Sequence, residues 1–192
     1  MATCTIIEEV STELAAYSEV PISFTVSQRL RVDLIDGGLG GFRLKTRVVD
    51  PPYVKDYDAI KGEGPTRWAR RFDMSNWGIL SAHIDDQRVG GIIMAWNSDG
   101  VSMLEDRSDL AVIWDVRVDD AARGQGVGRT LFGAGEQWAR ERGCKWLKVE
   151  TQNINVGACR FYAKMGCHLG AIDQHAYEDL PDEVQMLWVK QL

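Results

Sequence analysis

The chain has 192 residues, 45% hydrophobic and 26% charged, with a formal net charge of -6, which is length enough for one domain with a real core and an ordinary globular make-up. The negative balance argues against nucleic acid as a partner and suits attraction of a cationic substrate. No apolar run reaches the roughly 18 residues a membrane span needs, and residues 1–11 mix acids with apolar residues as no secretory signal does, so a cytoplasmic protein is expected.

In chain order, residues 21–26 read as a short strand. Residues 27–35 read as a short helix capped by Ser27, with Leu30 and Leu34 on one face. Glycines at 37, 38, 40 and 41 break that pattern. Residues 42–49 alternate as a strand does, and Pro51-Pro52 is expected to end its ladder. Residues 53–65 read as a surface loop facing substrate, and Tyr53, Asp56, Tyr57 and Asp58 in it suit a cationic amine.

Two β-rich runs at 77–84 and 89–96, joined by a turn at 85–88, form an antiparallel hairpin. The polar stretch 105–109 reads as a solvated turn before a third strand at 110–118. Residues 126–142 then read as a helix, with Val127, Leu131, Ala134 and Trp138 at helical spacing and Gly143 as its stop. A strand at 145–151 follows. The next helix, 155–165, carries Ala158, Phe161, Tyr162 and Met165 on one side and Gly166 as its C-cap. Two strands, 167–173 and 186–191, close the chain. This order, a meander followed by β-α-β-α-β-β, predicts a mixed α/β sheet in a single domain. The seven tryptophans are expected mostly in its core.

Cys4, Cys144, Cys159 and Cys167 form no C-x-x-C pair and combine with His83, His168 and His175 in no zinc pattern, so reduced thiols and no metal are expected. Cys167 and His168 are neighbours in a strand and should point to opposite faces, which disfavours a nucleophilic cysteine.

The most informative segment runs from Val116 to Arg129. A strand ends, a short polar connection follows, and a basic glycine-rich turn opens a helix. That is an anion site: free N–H groups of the first helical turn point outward, and the macrodipole adds positive charge. Gly126 and Gly128 let backbone amides approach a diphosphate, and Arg123 and Arg129 add charge. No Gly-x4-Gly-Lys-Ser/Thr run occurs, which excludes a Walker loop. Glycines at 124, 126 and 128, with Arg129 where a third fingerprint glycine belongs, do not make a dinucleotide fingerprint. About 65 residues beyond the turn are too few for a two-half dinucleotide fold.

Arg123-x-x-Gly126-x-Gly128 opening a helix resembles the coenzyme A signature of the GNAT acetyltransferases. Asn155-x-x-Ala158-x-x-Phe161-Tyr162-x-x-x-Gly166 is similar to the second conserved helix of that family. The resemblance implies a single GNAT domain with a centrally splayed sheet, residues 1–75 on the substrate side and 76–192 forming the acetyl-CoA-binding core. It implies acetyl-CoA as co-substrate, with main-chain groups of Val116, Arg117 and Val118 along the pantetheine arm. It places amides of Arg123, Gly124, Gln125, Gly126, Val127, Gly128 and Arg129 around the pyrophosphate, and Asn155 and Ala158 near the pantetheine amides. Asp120 stands where the family often has proline.

By the same resemblance Tyr162 sits near the thioester sulfur as general acid, and Glu150 lies where some members place a general base. Asp115 is the other acid in reach. Strand alternation sets it opposite Trp114 and Val116 and on a face with Arg117, as base or as Arg117's buried partner. For Glu150 the competing role is an ion pair with Lys148 or Lys164. Within the family, residues 148–164 followed by Leu169-Gly-Ala-Ile-Asp173 resemble streptothricin acetyltransferases. The expected reaction is direct acetyl transfer to a small cationic amine in a ternary complex, by a monomer or homodimer. Two alternatives stand beside it: acetylation of a protein N-terminus or lysine, and a non-catalytic acyl-CoA-binding module.

Overall fold

The computed structural model describes residues 3–192. In chain order the elements are β1 (Thr5–Glu9), α1 (Leu14–Tyr17), β2 (Phe24–Leu34), β3 (Phe42–Lys55), α2 (Pro65–Arg71), β4 (Gly78–Ile84), β5 (Gln87–Trp96), β6 (Leu110–Val118), α3 (Val127–Glu141), β7 (Trp146–Gln152), α4 (Val156–Lys164), β8 (His168–Asp173) and β9 (Gln185–Gln191). This is the mixed α/β class expected from the sequence. Among the described residues no helix is long and apolar enough to cross a membrane. The chain divides into two compact units: the first takes the segment up to Ser23, Asp56–Val149 and Val189–Leu192, and the second takes Phe24–Lys55 and Glu150–Trp188.

In the first unit the strand order is β1-β4-β5-β6-β7. Pairing is antiparallel as far as β6; β7 then runs parallel to β6, as the α3 crossover requires. Asp85 and Asp86, both left-handed at φ 49° and 64°, make the tight β4–β5 turn. Side chains of β5 alternate between two layers. Ile92 and Met94 lie under Gly135 of α3, whose buried stripe also includes Val127, Leu131, Phe132 and Trp138. Ile93 and Ala95 pack on the other side with Tyr17, Trp68, Phe72, Trp77, Leu110 and Val112. Each large apolar side chain so buried contributes about 1.5–3 kcal/mol.

Gly91 permits that second layer to close. A Cβ there would stand 2.3 Å from the Tyr17 ring and 3.1 Å from the Leu80 carbonyl oxygen, and Tyr17 is fully buried. Gly91→Ala is therefore expected to cost about 1–3 kcal/mol, a fall in Tm of roughly 2–12 °C on thermal melting. An unchanged Tm would mean the ring has room to move.

In the second unit β2 and β3 form a long antiparallel hairpin, which corrects two expectations. Residues 27–35 are not a helix. Leu30, Val32 and Leu34 alternate with Arg29, Arg31 and Asp33, and they pair across the hairpin with Thr46, Leu44 and Phe42. This period of two, satisfied by a partner strand, outweighs the cap signal at Ser27. Nor does Pro51-Pro52 end the ladder. Pairing jumps from Gln28↔Val48 to Val26↔Tyr53, so residues 49–52 bulge out opposite Ser27, where no ladder N–H is required of proline. Residues 53–55 consequently belong to β3 rather than to the loop. Three elements, β1, α1 and α2, were not read in the sequence.

Asn153 ties this hairpin to the C-terminal strands of the same unit. Its main chain accepts from Leu30 N at 2.9 Å, and its side chain donates to Leu30 O at 3.0 Å and accepts from Val184 N at 2.9 Å. Lys55 adds a bond of 2.6 Å to Glu183, both side chains largely buried. Here the strands run β7-β9-β8, and Cys159 of α4 packs on Met186 of β9.

Candidate active site

The glycine-rich turn belongs to the first unit. Asp119 leaves β6 and caps a single 3-10 turn, accepting from Ala121 N at 2.8 Å. Gly124 and Gly126 follow at φ 78° and 89°, values that L side chains adopt only with strain. The first hydrogen bond of α3 runs from Thr130 N to Gly126 O at 3.0 Å, so the amides of Val127, Gly128 and Arg129 precede any helical acceptor. A Cβ at Gly124 or Gly126 would meet nothing within 4 Å, so the turn is uncrowded at both glycines. Arg123 is held beside the turn by its Nε bond to Val118 O at 3.1 Å and by Asp120 at 2.7 Å. Bare donors, a helix dipole and a half-exposed guanidinium fit paired phosphates.

In the first unit β6 pairs in parallel with β7 from Leu110 to Ile113, opposite Trp146 to Val149. On the β5 side, Ile93 pairs with Asp115 and Met94 with Ile113, so Trp114 is a bulged extra residue. The bulge cancels the alternation expected to set Asp115 opposite Trp114. Both side chains reach the same aromatic layer: Trp114 against Trp68, Phe72 and Trp77, and Asp115 against Tyr17, which packs on Trp68.

Asp115 is fully engaged there. Tyr17 Oη donates to its Oδ1 at 2.5 Å, and Arg117 Nε and Nη2 bind its two oxygens at 2.9 Å each. Arg117, whose side chain is 0% exposed, spends its remaining donors on Val20 O at 2.9 Å and on the two oxygens of Asp58 at 2.8 and 3.2 Å. All five guanidinium N–H groups are thus satisfied. Burial opposes the charge on Arg117, but hydrogen bonds and charge from Asp115, with Asp58, outweigh it and raise its pKa above the usual 12.5. Burial, followed by the charge of Asp115, pushes the Tyr17 phenol well above 10.0. Tyr17 went unread in the sequence, and Asp58 was read as facing a cationic substrate. The signal is absent from any local window, because Asp58 and Tyr17 lie 59 and 98 positions from their partners.

The second unit holds the other acid. Glu150 on β7 accepts from Tyr177 Oη at 2.6 Å through Oε1 and from Gln185 Nε2 at 2.8 Å through Oε2. Of the two lysines considered as its ion-pair partner, Lys148 instead binds Glu105 at 2.7 Å and Met103 O at 3.1 Å, within the first unit. Asn155 caps α4, its Oδ1 accepting from Ala158 N at 3.0 Å. Tyr162 is buried one turn further along that helix, its ring edge-on to Phe161 at 5.5 Å. Burial pushes the Cys144 and Cys159 thiols up to about 11 and about 12, which keeps both protonated and poorly nucleophilic.

A family model described as the acetyltransferase (GNAT) family matches residues 48–167. A streptothricin acetyltransferase of Escherichia coli is 35% identical over 170 residues, covering 86% of this chain and 83% of that protein. The crystal structure of a nourseothricin acetyltransferase superposes with a TM-score of 0.74 at 25% identity, covering 98% of each chain. A Bacillus anthracis protein assigned as a streptothricin acetyltransferase, crystallised with acetyl coenzyme A, reaches a TM-score of 0.76 at 29% identity, covering 99% of this chain and 100% of that one.

Proposed function

We propose, from the premise that this chain belongs to the GNAT acetyltransferase family and is an acetyl-CoA-dependent N-acetyltransferase, that its acceptor is a primary amine of a cationic small molecule, streptothricin or a close analogue. The observation that carries this reading is the 35% identity, over most of both chains, to a streptothricin acetyltransferase. The net charge of -6 suits a polycationic acceptor.

Acetyl-CoA supplies the activated thioester. The turn from Arg123 to Arg129 grips its paired phosphates through the amides of Gly124 and of Gly126 to Arg129, those of Arg123 and Gln125 being held by Asp120 O at 3.3 Å and Ala122 O at 3.4 Å, and the β6 main chain at Val116, Arg117 and Val118 lies along its pantetheine arm, with Asn155 and Ala158 at the amides of that arm. Glu150 takes a proton from the acceptor ammonium, directly or through one water. The freed amine then attacks the thioester carbonyl: a C–N bond forms, the C–S bond breaks, and a β6 amide stabilises the transient oxyanion. Tyr162 gives its phenolic proton to the leaving thiolate, and the second proton of the acylated nitrogen, shed as the neutral amide forms, restores the phenol. Asp115, held by three donor groups, shapes this region through Arg117 rather than moving protons.

A thiol-release assay across streptothricin, polyamines, aminoglycosides and short peptides tests the acceptor. Turnover with streptothricin is expected; turnover with peptides alone would overturn the reading. Tyr162→Phe should lower kcat about tenfold and leave the KM for acetyl-CoA unchanged. The effect sits at the low end for general acids because a thiolate, with a pKa near about 8.5, already leaves readily at neutral pH. Unchanged turnover would remove Tyr162 from the mechanism.

A further inference from the structure

We infer that Tyr177 and Gln185 are positioning residues that hold the Glu150 carboxylate in one orientation for proton removal, an inference that rests on Glu150 being the base of the proposed reaction. Glu150 projects from β7, while Tyr177 lies in the connection between β8 and β9 and Gln185 opens β9. The two donors therefore reach the carboxylate from separate chain segments, one to each oxygen, at 2.6 and 2.8 Å.

The direction of the first bond is set by a third residue. Gln152 Nε2, which has protons but no lone pair, lies 3.0 Å from Tyr177 Oη. It donates to the phenol, and the single phenolic proton is left for Glu150. Gln152 follows Glu150 by two positions on the same strand, so the chain Gln152→Tyr177→Glu150 closes on the element it starts from. Every neighbour named donates, and each carboxylate oxygen keeps a second lone pair for the proton it must accept.

Glutamate has three rotatable side-chain bonds, so a base on β7 without these partners would sample several orientations. Misplacement of a reacting group by about 1 Å can cost roughly a hundredfold in rate. Neither Tyr177 nor Gln185 carries a motif that the sequence could flag, because their importance comes only from the group they orient.

Tyr177→Phe and Gln185→Leu are each expected to lower kcat about tenfold to a hundredfold, with KM for acetyl-CoA and Tm near wild type. The deciding measurement is a double-variant cycle: in a Glu150→Gln background neither substitution should lower kcat further, because the group being oriented is gone. Wild-type kcat in Tyr177→Phe and Gln185→Leu, or losses that multiply those of Glu150→Gln, would overturn the positioning role while leaving the base assignment standing. Full turnover by Glu150→Gln alone would overturn the base assignment itself. If Tyr177→Phe melts early, Gln185→Leu carries the same cycle from the other oxygen.

Discussion

Glu150→Gln is expected to lower kcat by about 10²–10⁴-fold, the range typical for loss of a positioned general base, with the KM for acetyl-CoA within a factor of a few. The substitution is close to isosteric, but the amide has no basic oxygen to take the ammonium proton. One of its two termini also now presents N–H groups toward Tyr177 Oη or Gln185 Nε2, which donate in the wild-type protein. The defect should therefore fall on the chemical step and not on the proposed phosphate site, the turn after β6 in the other unit. Steady-state kinetics with acetyl-CoA varied at saturating acceptor would separate the two. A rise in KM with kcat intact would assign Glu150 to binding instead. Raising the pH should partly rescue the variant, since a larger fraction of the acceptor then arrives already deprotonated.

Arg117→Met should be the most destabilising single change in the protein. It strands Asp115, buried beside Tyr17, together with Asp58 and the Val20 carbonyl, all of which the guanidinium satisfies. Breaking a buried pair by removing one partner costs about 3–5 kcal/mol, a fall in Tm of roughly 6–20 °C for a chain of this size. Asp58→Asn should cost less, because its carboxylate is 29% exposed and water can solvate what the pair loses. Thermal melts of both variants check the order; equal losses would mean that Asp58, not Asp115, anchors the arginine.

The same cluster sets a pH limit. The Tyr17 phenol has a folded-state pKa raised well above 10.0, so its contribution is complete below pH 10.0 and is lost as pH climbs through the folded value. Stability should fall on the alkaline side in the wild type and fall less steeply in Tyr17→Phe.

The second half of the chain was legible in its sequence because its signals are local. Gly126 to Arg129 announce an anion turn through residue type alone, and the apolar spacing of α3 and the run of β6 depend on near neighbours. The hairpin of β2 and β3 was misread for the complementary reason. Ser27 resembles a cap in any local window, and the strand alternation of Leu30, Val32 and Leu34 becomes decisive only when Thr46, Leu44 and Phe42 stand across from it. The bulge at Trp114, likewise, follows from the register of β5 and is invisible along β6 itself.

The sequence by itself carried the resemblance to the family and, through it, the co-substrate, and it marked the turn after β6 as a candidate anion site, since a backbone turn with glycines and a following helix carries its chemistry wherever it is placed. Only the tertiary structure shows how differently the two acids are surrounded. Asp115 and Glu150 are both carboxylates on strands, and nothing within a few residues of either tells them apart. What separates them is the company each keeps: Asp115 is locked into a buried ion network with Arg117, Tyr17 and Asp58, whereas Glu150 accepts from the neutral donors Tyr177 and Gln185. A side chain's charge is written in the sequence, but whether that charge is neutralised or left available depends on groups brought from distant parts of the chain.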